Sequence, residues 1–118
     1  YRESIGFDIR VFDSLGAFFT LTKMDNPRDE IFRLFEAVRR LGLTAFFICE
    51  MMGEGKNQFG EFGIEDYLSD GVIHLTMERT GDDIERKLAV VKMRHTDHAL
   101  GYSSWSWNSE TQRFSIGP

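Results

Sequence analysis

The sequence has 118 residues, 42% of them hydrophobic and 28% charged, with 14 Lys and Arg against 19 Asp and Glu. This length suits one folded domain, the composition argues against disorder, and the net charge of −5 disfavours a protein that coats nucleic acid. No apolar run is long enough to cross a bilayer, so we expect no membrane partner. One cysteine excludes an internal disulfide and a multi-cysteine zinc site, and it fits a cytoplasmic setting.

The first half of the chain predicts a strand, a helix and a second strand. Alternation over 7–12 indicates a short strand. Residues 27–41 predict a helix, because Asn26 suits an N-cap, a proline follows it, one apolar stripe continues through the segment and a glycine ends it. The run 43–49 is apolar on both faces, as in a central parallel strand covered by helices. Together these elements form a βαβ unit with a right-handed crossover.

The second half of the chain predicts antiparallel structure. Residues 51–63 carry four glycines and predict a long loop, and a short helical turn is expected over 64–69. The runs 72–79 and 86–94 alternate around a glycine turn, which indicates a hairpin, and a second hairpin follows over 104–116. Since no linker or repeat interrupts the chain, we expect one compact unit.

Asp13 is the first candidate functional residue, because it follows the predicted strand 7–12 directly. Ligands of α/β proteins gather outside the carboxyl ends of the strands. A carboxylate there can hold Mg²⁺ through water and orient the phosphates of a nucleotide. The alternative is a helix cap or turn former, and the spacing leaves both readings open.

Lys92 and Arg94 are the second candidate pair. They lie two residues apart on an alternating strand, so their side chains should share a face about 6–7 Å apart, with Met93 facing the core. A lysine and an arginine so placed can grip adjacent phosphate oxygens. A solvated strand face is the alternative that remains open.

The segment 53–57, Gly-Glu-Gly-Lys-Asn, invites comparison with a phosphate-binding loop. That motif needs a glycine five residues before the Gly-Lys pair and a Ser or Thr directly after it. Here Glu50 and Asn57 occupy those positions. We therefore reject this reading of the segment.

Two further patterns carry weaker signals. His95 to His98 resembles a metal cluster, but His74 is the only other histidine, so the supply of ligands is thin. Trp105 and Trp107 share a predicted strand face. They suit either the stacking of a base or a covered sheet face.

In their order and spacing, three segments resemble the second half of a KaiC-type ATPase domain, in the RecA-like superfamily of P-loop NTPases. These are the strand ending in Asp13-Ser14, the segment GIEDYLSDGVI at 63–73, and the run from Lys92 to His98. The resemblance covers 7–117. It implies an α/β fold over 1–118, the C-terminal half of a RecA-like domain, with parallel strands and a crossover helix followed by antiparallel hairpins.

The resemblance also implies a nucleotide site that uses ATP and Mg²⁺. Asp13 matches the Walker B aspartate, which supports Mg²⁺ through water. Glu50, at the end of the second strand, matches a polar position that senses the state of the nucleotide. Both would take part in catalysis.

A second set of positions would reach the ATP of a neighbouring subunit. Lys92 and Arg94 match a basic pair that crosses the subunit interface to the phosphates, and Arg94 would take part in catalysis. Thr96 and His98 match residues lining the same shared site. The family usually has a glycine after Lys-x-Arg, where this chain has His95.

The family's phosphate-binding loop and paired glutamates do not occur in the sequence, which starts at Tyr1 without an initiator Met. We therefore expect this chain to be the C-terminal part of a longer ATPase and to be inactive alone. The parent protein is expected to be a cytoplasmic, ring-forming homo-oligomer of signalling or clock type, with a hexamer as the expected size. One alternative is a RecA- or RadA-like recombinase relative that binds single-stranded DNA through loop 51–62. The acidic balance and a single lysine in that loop, Lys56, count against it. The other alternative is a non-catalytic interaction module.

Overall fold

The computed structural model describes residues 9–22, 25–51 and 59–117. These residues belong to two compact units, Tyr1–Ser69 and Asp70–Pro118, and each unit has its own sheet. The expectation of a single ATPase-type domain over 1–118 stays a prediction. Residues 7 and 8 of the predicted first strand lie outside the described residues, as does 52–58, which includes the glycine- and lysine-containing segment.

The described residues of the first unit form a parallel pair of strands and three helices. In chain order these are β1 (Ile9–Asp13), α1 (Leu15–Thr22), α2 (Pro27–Arg40), β2 (Thr44–Ile48) and α3 (Glu65–Leu68). The βαβ prediction is therefore confirmed, with β1 and β2 parallel and Asp13 opposite Ile48. Helix α1 is an addition that the sequence reasoning missed.

The core of the first unit lies where α1 and α2 meet one face of the sheet. Leu15 and Phe19 of α1 are buried with Ile31 and Phe35 of α2. The Phe47 ring stacks on Phe35 with centroids 4.5 Å apart. Spacings of four residues on each helix therefore produce one shared apolar seam.

The opposite face of this sheet differs from the expectation of two covered faces. Val11 is 63% exposed and Phe46 50% exposed, and their neighbours Ile9 and Ile48 are also exposed. Side chains alternate along a strand, so these residues share the face that points away from Phe47. Among the described residues, helices cover only one side of β1 and β2.

The second unit is a four-stranded antiparallel sheet in the order β3-β4-β5-β6. Its strands are β3 (Gly71–Thr80), β4 (Asp83–Met93), β5 (Ser103–Asn108) and β6 (Arg113–Ile116). Both predicted hairpins are confirmed. The first turns at Gly81, whose φ of 66° suits a two-residue hairpin loop and favours glycine.

A bulge in β4 corrects the predicted facing of its last residues. Ile73 pairs with Val90, whereas Val72 pairs with Lys92, which leaves Val91 as the extra residue. A bulge of one residue reverses the alternation that follows it. Lys92 therefore shares the face of Ala89, and the prediction that strict alternation continues through the whole run 86–94 was wrong.

Candidate functional site

Asp13 and Glu50 lie at the same edge of the first unit's sheet. Asp13 ends β1 opposite Ile48, and Glu50 follows β2 two residues after Ile48. Both side chains are exposed. The carboxyl ends of parallel strands thus bring two carboxylates to one edge, the usual position for ligands in such sheets.

The start of α1 bears on the alternative reading of Asp13 as a helix cap. The Ser14 hydroxyl accepts a hydrogen bond from the Ala17 amide at 3.3 Å, so the capping oxygen comes from Ser14. The Asp13 carboxylate is therefore not needed to cap α1. The peptide bond between Asp13 and Ser14 is cis.

The segment before α3 adds a carboxylate that the sequence reasoning missed. Glu61 lies against Gly16, where a Cβ atom would overlap its carboxylate. Gly16 is the second residue of α1, whose amino-terminal end favours negative charge. Glu61 therefore approaches the chain three residues beyond Asp13, a proximity that sequence spacing did not reveal.

Glu65 explains how this segment is held in place. Only 5% of Glu65 is exposed, and its carboxylate accepts hydrogen bonds from the amides of Glu61 and Phe62, both at 2.9 Å, and of Ile64 at 3.0 Å. Gly60, with φ of 125°, passes so close that a Cβ there would lie 2.5–2.8 Å from the same carboxylate. The buried charge therefore organises a turn that only glycine can complete.

Cys49 lies in the same part of the unit. Burial raises the pKa of its thiol to about 11, and the negative charges of Glu65 and then Glu61 add to the effect. A thiol with a raised pKa is a poor nucleophile at neutral pH. Cys49 is therefore a structural neighbour of the Asp13 edge rather than a reactive group.

The second predicted set lies at the end of β4 in the second unit. Lys92 is half-buried and pairs with Val72. Arg94 follows the strand: its amide donates to the Asp70 carbonyl at 2.7 Å, and its Nη1 lies 3.3 Å from Asp70 Oδ1. The structure thus holds the backbone of Arg94 firmly while its side chain stays at the surface.

Thr96 and His98 follow in the next segment. Thr96 is exposed, and the half-buried His98 places its Nδ1 3.1 Å from the Ala99 carbonyl. Among the described residues, no three His, Cys, Asp or Glu side chains gather as a metal site. His95 has φ of 59°, a left-handed conformation that glycine adopts most easily.

Comparison with known families identifies the family to which the chain belongs. The family model described as "ATPase: KaiC" matches residues 2–106. The chain belongs to the KaiC family of ATPases.

Two curated relatives show the extent of the likeness. The chain is 33% identical over 90 residues to the circadian clock protein KaiC3 of Synechocystis, covering 75% of this chain and 18% of KaiC3. It is also 33% identical over 90 residues to a UPF0273 protein of Thermotoga maritima, covering 76% of this chain and 36% of the relative. The chain therefore spans well under half the length of these KaiC-family relatives.

A solved structure matches the fold. The KaiC-like protein of Pyrococcus horikoshii aligns with a TM-score of 0.81 at 20% identity, over 99% of this chain and 52% of that one. The chain therefore has the fold of a KaiC-type, RecA-like ATPase domain in part, with parallel strands followed by antiparallel hairpins. None of the helices in the described residues is long and apolar enough to span a membrane.

Proposed function

We propose that this chain is the C-terminal part of a KaiC-type ATPase domain and that it supplies two sets of residues to ATP sites. Asp13 and Glu50 would serve the nucleotide of their own subunit. Lys92, Arg94 and their neighbours would serve the nucleotide of the next subunit. The observation that carries the proposal is the position of Asp13 beside Glu50 at the carboxyl edge of β1 and β2, in a chain of this family.

The residues at this edge fit a nucleotide with Mg²⁺. Magnesium usually keeps several waters and takes one or two carboxylates together with substrate phosphates. Asp13 is exposed, and Ser14 caps α1 in its place, so its oxygens can meet a hydrated cation. When bound, the cation would neutralise charge on the phosphates, while Asp13 holds its waters and Glu50 reports on the nucleotide from the adjacent strand.

The basic set fits a clamp that acts across a subunit boundary. Arg94 has a fixed backbone and a surface guanidinium that pairs with Asp70 at 3.3 Å. Such exposed pairs contribute little, so a phosphate can compete for the arginine. The bulge at Val91 places Lys92 on the face opposite to that of Met93 and Val90, and Thr96 and His98 would complete the site.

The parent protein would accordingly be a cytoplasmic ATPase that forms a homo-oligomeric ring, with a hexamer as the expected size. The isolated chain would be inactive, because the G-x-x-x-x-G-K-[ST] motif that grips the triphosphate does not occur in its sequence. Binding of single-stranded DNA through loop 51–62 is the less favoured alternative, because the chain has a net charge of −5 and Lys56 is the only lysine in the sequence of that loop.

The decisive experiment uses the full-length parent. Arg94→Ala should lower ATP turnover at least about tenfold, equivalent to about 1.4 kcal/mol of barrier, because arginines that act in trans stabilise charge on the transferring phosphoryl group. Arg113→Ala is the matched control, since Arg113 is an exposed arginine on β6 of the same sheet. It should leave turnover unchanged.

Mixing then separates action in trans from action within one chain. Subunits with Arg94→Ala keep Asp13, and subunits with Asp13→Asn keep Arg94, so mixed rings contain some sites with both groups intact. Turnover should recover in the mixture. A mixture as inactive as either variant alone would contradict the trans clamp. Full activity of Arg94→Ala would favour the alternative that Lys92 and Arg94 only form a solvated strand face.

A further inference from the structure

Asp70 and Arg94 face each other just beyond the ends of β3 and β4. Gly71, the first residue of β3, pairs with Met93, the last residue of β4. The Arg94 amide donates to the Asp70 carbonyl at 2.7 Å, so the antiparallel ladder continues by one residue pair past both strands. The Arg94 Nη1 atom lies 3.3 Å from Asp70 Oδ1, which adds an ion pair to the backbone contact.

We propose that Asp70 regulates the trans clamp by competing with phosphate for the side chain of Arg94. The carboxylate holds the guanidinium on its own subunit until a phosphate of the neighbouring subunit's ATP displaces it. This inference rests on the proposed function, to which it adds a regulator. The backbone bond fixes where the arginine stands in both states, whereas the ion pair determines which anion the guanidinium meets.

The exposure of the ion pair allows such an exchange. The Arg94 side chain is 41% exposed and that of Asp70 is 72% exposed. Because water screens an ion pair of this kind, contact is favoured over separation by no more than about fivefold. The pair is therefore strong enough to occupy Arg94 for much of the time and weak enough to be replaced.

A nucleotide phosphate is the stronger partner for the same arginine. A phosphate group offers more negative charge and more acceptor oxygens than one carboxylate, and it accepts two parallel bonds from a guanidinium fork. Arg94 should therefore leave Asp70 when the neighbour's ATP comes within reach. A weaker anion that offers a single contact would not replace the carboxylate, so the competition favours the nucleotide over other anions.

The competition has a direction that a purely structural contact would not share. The apparent affinity for a ligand falls in proportion to the fraction of protein in the binding-competent state. Asp70 lowers that fraction, because Arg94 cannot meet a phosphate while it is paired. Removal of the carboxylate should therefore strengthen nucleotide binding, whereas the loss of a contact needed only for folding would weaken it.

The test measures the ATPase kinetics of Asp70→Asn in the full-length parent with Mg-ATP. Asparagine removes the charge and keeps the backbone carbonyl that accepts the Arg94 amide. The KM for ATP should fall about two- to fivefold, while kcat changes by less than about twofold. At about 1 M salt, where the Debye length is about 3 Å, the difference from wild type should disappear. An unchanged or raised KM, or a difference that persists at that salt, would overturn the proposal.

Asp83→Asn is the matched control for the change in charge. Asp83 is an exposed aspartate at the start of β4, and the length of the strand places it roughly 35 Å from Arg94. This distance exceeds the Debye length of about 10 Å at 0.1 M salt, so the control should leave KM unchanged. An equal fall in KM with Asp83→Asn would overturn the proposal, because the effect would then come from net charge alone.

A double variant connects the effect to Arg94. In an Arg94→Ala background, Asp70→Asn should leave KM unchanged, since the group for which Asp70 competes is absent. The same fall in KM with and without Arg94 would overturn the proposal while the trans clamp stands. Failure of the proposed function is distinguishable, because Arg94→Ala alone would then keep wild-type turnover and KM. If Asp70→Asn fails to fold, Asp70→Ser removes the same charge and takes its place in each comparison.

Discussion

Glu65 offers a demanding test of how the first unit is built. Its buried carboxylate accepts three backbone hydrogen bonds at 2.9–3.0 Å and lies beside Gly60. Glu65→Ala would leave three amides without their partner. Glu65→Gln would keep one acceptor oxygen, which can still serve the amides of Glu61 and Phe62, while its NH₂ group would face the amide of Ile64.

The expected magnitude follows from these contacts. A hydrogen bond to a charged group contributes about 1.5–3 kcal/mol, and bonds that share one acceptor are less than additive. We therefore expect Glu65→Ala to lower the free energy of unfolding by about 3–5 kcal/mol and Glu65→Gln by roughly half as much. A domain stable by about 5–15 kcal/mol would be severely weakened by the first change.

Urea unfolding of the whole chain, followed by circular dichroism, measures both changes. Glu61→Gln is the matched control, because it also neutralises one glutamate of the same segment but leaves the three amide bonds intact. If Glu65→Ala costs less than about 1 kcal/mol, the carboxylate does not hold the turn. If Glu65→Ala fails to fold, the loss in free energy of unfolding can still be compared between Glu65→Gln and the control Glu61→Gln.

Two further predictions concern Cys49 and His95. Because the pKa of Cys49 is raised from 9.0 to about 11, its alkylation by iodoacetamide at pH 8 should be about a hundredfold slower than that of an ordinary thiol. The free energy of unfolding should fall only as pH rises from about 9 through 11, because the thiolate is disfavoured in the fold. Ordinary reactivity at pH 8 would refute the burial argument. His95→Gly should raise the free energy of unfolding by about 0.5–1 kcal/mol, since the left-handed φ costs a side chain more than glycine loses in entropy. Thr96→Gly, at the next position, should lower stability in the same melt, and a loss with His95→Gly would contradict the strain argument.

Local signals were enough to predict α2. Pro27 begins it and Gly42, with φ of 62°, follows it, so both ends are encoded within a few residues. Asn26 occupies the cap position, but its side-chain Nδ2 donates to Asp29 Oδ2 at 2.7 Å and does not cap the helix. Helix α1 was missed because its eight residues carry no charge and no polar face, although Ser14 and the Leu15–Phe19 spacing were a usable signal.

The part of the candidate site that depends on contacts between distant residues could not be predicted from the sequence. The positions of Asp13 and Glu50 follow from strand order alone, because parallel strands end at one edge. The facing of Lys92 depends on the bulge at Val91, which no periodicity marks. Glu65 was overlooked because an isolated glutamate is normally exposed, and its burial is intelligible only once three amides converge on it.

The contrast between Asp13 and Ser14 separates function from folding at the edge where both lie. Ser14 Oγ accepts from the Ala17 amide, so Ser14→Ala should lower the free energy of unfolding by about 1 kcal/mol through loss of the cap. Asp13 is exposed and ends β1, so Asp13→Asn should leave that free energy within about 0.5 kcal/mol of wild type. The same Asp13→Asn change in the full-length parent should abolish most ATP turnover, since it removes the charge proposed to hold magnesium-bound water. A large stability loss with Asp13→Asn would restore the reading of this aspartate as a structural turn residue, because its charge would then be needed by the fold itself.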